Sequence, residues 1–494
     1  MSTRWAALPV LLVAVFVTTL DFYVANLAVP SIRADLGAGH AAVQLVVAGY
    51  GLAYAAGLIV SGRLGDLYGH RLVFAVGLAV FALASAGCGL AGDAGMLVAC
   101  RVGQGVAAAL LAPQVLALLG GLYQGGDRVR AFGWYGSAVG LAGLSGQVVG
   151  GVVVAVDVMG LGWRACFLVN VPICLTALAL TPRLLPRTPP APPSGGTQAP
   201  PPSVAPRSGA MRTPSSGAAP TPGPRTLAAR RPRDLDLGGA ALVTAGLVAL
   251  VLPLAEGREQ GWPGWAWACL AVAPVLLGAF VRRQRRLAAE GRVPLLDLAV
   301  FGEKGFVRGL VAAGLLFGTS AGLSFVLALY LQDGLGLAPL AAAAVCTALN
   351  AGFFAASLRP GRFGAPVLVV GLALVYHAVG AGPWAVGAAL LVTGAGMGLL
   401  MSPLLSSVLS CVRPERSAAA AGVLGTVQEA GGVLGGTVTG AVFLAALDGG
   451  WDPAARAGLA VLIVASLGVL ACSATRAPAR GAQRERRPAR GRFT

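Results

Sequence analysis

Apolar residues run along this chain in stretches of roughly 20 or more, separated by short clusters of arginine, glycine and proline. Each stretch is long enough to cross a bilayer as a helix, in which every backbone N–H and C=O is satisfied internally. The pattern predicts fourteen helices, at 7–30, 41–61, 72–91, 94–119, 131–156, 165–182, 237–255, 264–281, 306–331, 338–357, 366–381, 383–409, 417–446 and 455–473. Three ionisable residues fall at membrane depth, Asp21, Arg101 and Glu429. A charge in hydrocarbon costs about 2.5–3.5 kcal/mol even on lenient scales, so such residues pair, line a wet cavity or carry protons.

Composition agrees with this reading. With 56% hydrophobic and only 11% charged residues, the 494-residue chain cannot present a water-facing surface all round. The first apolar stretch, from about Ala6 to Pro30, is too long for a signal peptide, contains Asp21 and has no convincing cleavage site, so it reads as helix 1. A net charge of +17 would point to nucleic acid in a soluble protein. Here the charges sort by side instead: with the N-terminus in the cytoplasm, nearly all of the 36 Lys and Arg fall on the inner side. That is the positive-inside pattern of a multi-pass protein of the cell (plasma) membrane with both termini cytoplasmic, and no nucleic-acid partner is expected.

Between Pro182 and Pro232 lie 15 of the 32 prolines, mixed with Ser, Gly, Thr and Arg. Such a stretch cannot bury a core and reads as a disordered cytoplasmic linker, either a tether lying on anionic headgroups or a docking site. The expected division is therefore a six-helix bundle over 1–182, the linker over 183–233, two extra helices and a basic loop over 234–305, a second six-helix bundle over 306–473 and a basic cytoplasmic tail over 474–494. The eight cysteines lie within or at the ends of spans with no CxxC pair, and there are three histidines, so neither a disulfide framework, a metal site nor a cofactor is indicated. No Walker loop and no nucleophile–base constellation stands out, so ATP-driven transport and enzymatic activity are not expected.

The segment joining helices 2 and 3 reads Gly62-Arg63-Leu64-Gly65-Asp66-Leu67-Tyr68-Gly69-His70-Arg71 and is expected to be a short cytoplasmic turn. Glycine allows close helix approach there, and a carboxylate can cap a helix or pair with arginine, the chemistry of a latch. This spacing resembles the loop signature of the major facilitator superfamily, G-x-L-a-D-r-x-G-r-k, with Leu67 and His70 in place of basic residues. The resemblance implies that Gly62, Asp66, Gly69 and Arg71 form a cytoplasmic gate, and that the protein is an all-α transporter of two six-helix bundles, here with two inserted helices.

Other stretches are similar to the fourteen-span drug:proton antiporter branch of that superfamily. Leu20-Asp21-Phe22-Tyr23 through Asn26 to Pro30 resembles its helix 1 signature with Tyr23 in place of threonine, and Arg101-Val102-Gly103-Gln104-Gly105 its R-x-x-Q-G. Gly162-Trp163-Arg164, Asn170-Val171-Pro172 and Asp234 to Gly239 are also similar to it. Independently of that resemblance, Asp21 and Arg101 both sit roughly 10–14 Å below the outer surface at 1.5 Å per residue. An aspartate whose proton affinity is pulled one way by burial and the other by arginine can couple protons to conformation; the alternative is a static salt bridge between helices 1 and 4. The resemblance implies a position facing the central cavity.

Helix 5 carries a glycine stripe that includes Gly146, Gly150 and Gly151, a packing or hinge element in which Gln147 stands where the antiporter signature has proline. Gln428-Glu429-Ala430-Gly431-Gly432 in helix 13 echoes Gln147 to Gly151, and Arg359 to Gly364 echoes the helix 2–3 segment, as expected of two related bundles facing a substrate path. Glu429 falls near the midplane, where it either binds a proton or cationic substrate or stays protonated and hydrogen-bonded to a neighbouring helix. The function expected is proton-coupled export of amphiphilic small molecules such as antibiotics by alternating access, with protons and the lipid bilayer as the other partners. The alternatives are a facilitator or importer of one metabolite, separated by collapsing the proton gradient, and a non-transporting sensor or scaffold, separated by deleting linker and tail.

Overall fold

A computed structural model describes residues 3–37, 40–156, 160–186, 236–257, 260–292, 294–359, 361, 363–412 and 417–474, without the side chains of a few helical stretches, among them 147–156. The expected linker and basic tail lie almost wholly outside the described residues. Fifteen α-helices appear in chain order: α1 Thr3–Leu36, α2 His40–Tyr68, α3 His70–Gly89, α4 Ala94–Leu122, α5 Gly125–Val156, α6 Ala165–Leu168, α7 Asn170–Leu184, α8 Leu237–Glu256, α9 Gly264–Ala289, α10 Lys304–Leu329, α11 Pro339–Ser357, α12 Gly364–Ala378, α13 Pro383–Ser410, α14 Ser417–Ala445 and α15 Trp451–Ala474. Since α6 and α7 form one broken span, the chain makes the fourteen rods that its hydropathy predicts. Nine spans among the described residues are long and apolar enough to cross a membrane by themselves.

The helices form two six-helix halves that repeat one packing plan. In the first half α2 packs on α4, α1 on α5, and α3 on α4 and α7; in the second, α11 packs on α13, α10 on α14, and α12 on α13 and α15. The equivalent helices α4 and α13 even carry their internal prolines, Pro113 and Pro403, at similar depths. Local chemistry sets several helix starts. Asp93 accepts the Met96 amide at 2.9 Å to cap α4, and proline begins α11 and α13, where a missing N–H costs nothing.

Two expectations on element bounds change. The Gly62–Arg71 segment is not a loop: α2 continues through Tyr68, and the chain reverses at Gly69 alone, whose φ of 92° is open to glycine without strain. Nothing before Gly69 breaks a helix, so the polar residues simply extend it beyond the apolar stretch. The sixth span, by contrast, is interrupted at Val169, after a 3-10 turn at Gly162–Arg164.

The halves meet mainly near the arginine-rich end. There α2 lies against α14 and α5 against α11 and α13, and the Ser402 hydroxyl donates to the Val129 carbonyl at 2.6 Å. A Cβ at Gly62 would overlap the Ala418 carbonyl, and one at Gly422 the Leu58 carbonyl, so this seam closes only because both positions lack side chains. The inserted pair α8–α9 stands beside the seam. Its first helix touches both halves, with Thr244 donating to the Ala56 carbonyl of α2 and Thr437 of α14 donating to the Leu254 carbonyl, each at 3.4 Å.

Asp236 ties this pair together. Its carboxylate accepts the Gly239 amide at 2.9 Å, Arg283 Nε at 2.7 Å and Gln284 Nε2 at 2.8 Å, and Gln284 Oε1 accepts the Leu296 amide. Burial pushes the Asp236 carboxyl up, but those three donors together hold it below its usual value. A depressed folded-state value means that this stabilisation is complete above the unfolded value of about 3.9 and is lost as pH falls through the folded one. Asp236→Ala should therefore cost about 1 kcal/mol at neutral pH, the worth of a helix cap. The lowered unfolding temperature of the purified variant should converge on that of the wild type as pH falls through the folded-state value of Asp236.

Candidate functional site

The structure brings Asp21 and Arg101 into direct contact. Arg101 Nη1 donates to Asp21 Oδ2 at 2.5 Å, and both side chains are wholly buried. Arg101 also donates through Nε to the Val46 carbonyl at 3.0 Å and through Nη1 to Gln104 Oε1 at 2.8 Å, while its guanidinium lies 4.5 Å from the Tyr50 ring centroid. Arg101 and Gln104 are three residues apart, so they project from one face of α4. Gln104 Nε2 donates to Asp21 Oδ1 at 2.9 Å and to Ser85 Oγ at 2.7 Å. A third donor is Asn170, the first residue of α7, whose Nδ2 reaches Asp21 Oδ1 at 2.7 Å.

The expected position for Asp21, facing the cavity, is not what this conformation has. Asp21 is 1% exposed, closed in beneath the arginine and its aromatic neighbours. The reason is the set of amides: Gln104 and Asn170 satisfy the carboxylate within the first half, so it needs no water. Gln104 and Asn170 had signals in the sequence, a shared helix face and a polar residue opening an apolar span, but a partner 149 residues away in the chain leaves no local trace.

Glu429 has a different environment. It is half-buried in α14 and makes no hydrogen bond or ion pair with a described residue. The hydrogen bond to a neighbouring helix that would mark a purely structural glutamic acid is absent among the described residues. Tyr50 stacks on Tyr54 at 6.3 Å and lies 6.3 Å from Phe22, which meets Tyr23 edge-on at 5.7 Å. The rings of Tyr23, Phe22, Tyr50 and Tyr54 thus form a row beside the buried Asp21–Arg101 pair of the first half.

At the arginine-rich end Asp66 is buried, and with Arg63, Leu295, Phe301, Ala419 and Val423 it lines a cavity of about 200 Å³ at the α2–α14 seam. Gln114 of α4 steadies the reversal at Gly69, donating to the Ser61 carbonyl at 2.9 Å and meeting His70 Nδ1 at 3.1 Å. Among the described residues Arg71 does not bridge the two halves. It donates to the Pro182 carbonyl at 3.1 Å, within the first half, because the one-residue reversal points it towards the end of α7. Gly146 packs on Tyr23 of α1, which fits the packing role rather than a break, since α5 runs unbroken from Gly125 to Val156. The side chain of Gln147, and the surroundings of Gly150 and Gly151, lie outside the described residues.

At the opposite end Asp35 of α1 accepts Arg164 Nη1 at 2.6 Å and Trp163 Nε1 at 3.1 Å. These two bonds, the arginine's first, hold the Asp35 carboxyl below its ordinary value and tie α1 to the turn that precedes Asn170.

Two halves of six helices around buried and half-buried acids define a membrane transporter, and the comparisons with known proteins agree. The sequence profile of the Major Facilitator Superfamily matches residues 11–436. The chain is 34% identical to the probable actinorhodin transporter of Streptomyces coelicolor, over 90% of its own length and 73% of that protein's, and 35% identical to the puromycin resistance protein pur8 of Streptomyces alboniger, over 95% and 90%. Its fold superposes on the human organic anion transporter MFSD10 with a TM-score of 0.59 at 15% identity, covering 96% of this chain and all of the other. The chain belongs to the Major Facilitator Superfamily and is a multi-pass membrane protein.

Proposed function

We propose that this protein exports amphiphilic small molecules, antibiotics or related metabolites among them, from the cytoplasm in exchange for protons. The observation that carries the reading is the sealed carboxylate of the first half, Asp21 against Arg101, with a second intramembrane acid, the half-buried Glu429, in the other half. The relatives named for an antibiotic and for resistance to another support the substrate class. In this reading the arginine-rich end faces the cytoplasm, with both termini there, and its basic loops lie on anionic headgroups. The chain divides at 182, 233, 305 and 473 into first bundle, linker, inserted pair, second bundle and tail.

Asp21 carries the coupling proton. The closed α2–α14 seam, with Gly62, Asp66 and Gly69 behind it, is the cytoplasmic gate in its shut state, and Arg71 braces it from within the first half. Glu429 meets the substrate. In a cavity less polar than water a carboxylate attracts a cation but not a neutral molecule, and the tyrosine faces add to that attraction. Glu429→Gln removes the charge at nearly constant volume. Its export of lipophilic cations should fall about tenfold, the effect of 1.4 kcal/mol, while uncharged compounds of similar size keep their rate. An efflux panel of both classes in a transporter-deficient host reads this out. Equal losses for both classes would move Glu429 from selectivity to proton coupling.

A further inference from the structure

The Asp21 carboxylate accepts three hydrogen bonds, one from Arg101 and two from neutral amides, Gln104 of α4 and Asn170 of α7. Asn170 is wholly buried, and among the described residues its Oδ1 has no partner, as is also true of Arg101 Nη2. A buried amide with one end unspent costs on the order of 1–3 kcal/mol for the orphaned group, and here it holds an acceptor in reserve for a state in which Asp21 donates. Such a state follows from the chemistry of Asp21. Ionised, the carboxylate only accepts, and the amide presents Nδ2 to it. Protonated, one of its oxygens becomes a donor and needs an acceptor. Half a turn of the Asn170 amide about its Cβ–Cγ bond would bring Oδ1 to Asp21 in place of Nδ2.

We infer that Asn170 is the positioning residue that sets the proton affinity of Asp21, its amide donating to the ionised carboxylate and, after rotation, accepting from the protonated acid. The inference rests on the reading of Asp21 as the coupling site. Asn170 stands at the junction of α6 and α7. The proton added to Asp21 Oδ1 replaces the Asn170 N–H bond with an O–H bond to Asn170 Oδ1; on release to water the first arrangement returns. The titratable and charged groups around Asp21 are Arg101 of α4, Tyr50 of α2, Cys88 of α3, Cys166 of α6 and Cys174 of α7. Arg101 is the charged one and is unchanged by substitutions at position 170.

The test needs no knowledge of the substrate. Infrared spectroscopy of the purified full-length protein follows the carboxyl C=O band of protonated acids against pH, and the band lost in Asp21→Asn belongs to Asp21. Asn170→Leu, without polar atoms, should displace the midpoint of that band by about one unit to higher pH, a tenfold rise in proton affinity, because the bond lost by the ionised form is charge-assisted and stronger than the neutral bond lost by the protonated acid. Asn170→Ser, which keeps a hydroxyl, should displace it less, and is read in the same way if the leucine variant does not reach the membrane. A midpoint identical to the wild type in a folded Asn170 variant overturns the inference alone. The absence of any band that Asp21→Asn removes overturns the coupling assignment beneath it.

Discussion

Asp21→Asn should reduce proton-driven export to the level of protein-free liposomes while leaving a folded protein in the membrane. Asparagine keeps the size of aspartate and an oxygen that can still accept from Arg101 Nη1, and Arg101 retains the Val46 carbonyl, Gln104 and the Tyr50 ring. Removing one partner of a buried ion pair costs about 3–5 kcal/mol when nothing replaces it. The retained bonds should hold the loss below that, so the purified variant should unfold at a lower temperature but still cooperatively. What asparagine cannot do is take up and give back a proton. Exchange of labelled for unlabelled substrate, which requires no net proton movement, should therefore survive. Normal gradient-driven efflux by this variant would sink the assignment of Asp21.

Gly422→Val should hold the arginine-rich end open. The added side chain meets the Leu58 carbonyl, and backbone on both sides of the seam leaves it no room. Overpacking of this kind costs about 1–3 kcal/mol, and the cost falls only on the closed state, which shifts the balance between closed and open forms by roughly 5- to 150-fold. Turnover should drop in proportion, because alternating access needs both states. With Cys411 replaced by serine, a cysteine at Ala419, beside the cavity at the seam, should react with maleimide about tenfold faster in the Gly422→Val background. Gly432→Ala is the control, since its Cβ would meet nothing closer than 3.9 Å. Unchanged labelling together with normal turnover would remove the seam from the transport cycle.

Much of this was legible in the chain because a bilayer makes hydropathy and length decisive: fourteen rods follow from apolar runs, and a common depth for Asp21 and Arg101 follows from the rise per residue. Contacts that depend on where the chain reverses or breaks were not. The polar end of α2 looks like a loop because hydropathy marks the edge of the membrane, not the end of a helix, and Gly69 alone ends it. Arg71 was expected among the gate residues at the bundle interface, and the tight reversal delivers it to Pro182, more than a hundred residues on. Asn170 could be noticed as a polar residue in an apolar span and as part of a stretch similar to the antiporter branch, but not as a partner of Asp21. That it meets Asp21 depends on the packing of α1 against α7, which no local pattern encodes. The place of α8–α9 beside the α2–α14 seam is likewise a tertiary fact.

The central claim is that substrate leaves against protons and that Asp21 carries them. The most direct measurement is the proton movement that accompanies transport in liposomes holding the purified protein in one orientation, with a pH-sensitive dye sealed inside. Adding a transported lipophilic cation to the cytoplasm-facing side should produce a proton flux opposite to the substrate flux, abolished by Asp21→Asn. Substrate movement at full rate with no proton signal in the wild-type protein would contradict the account.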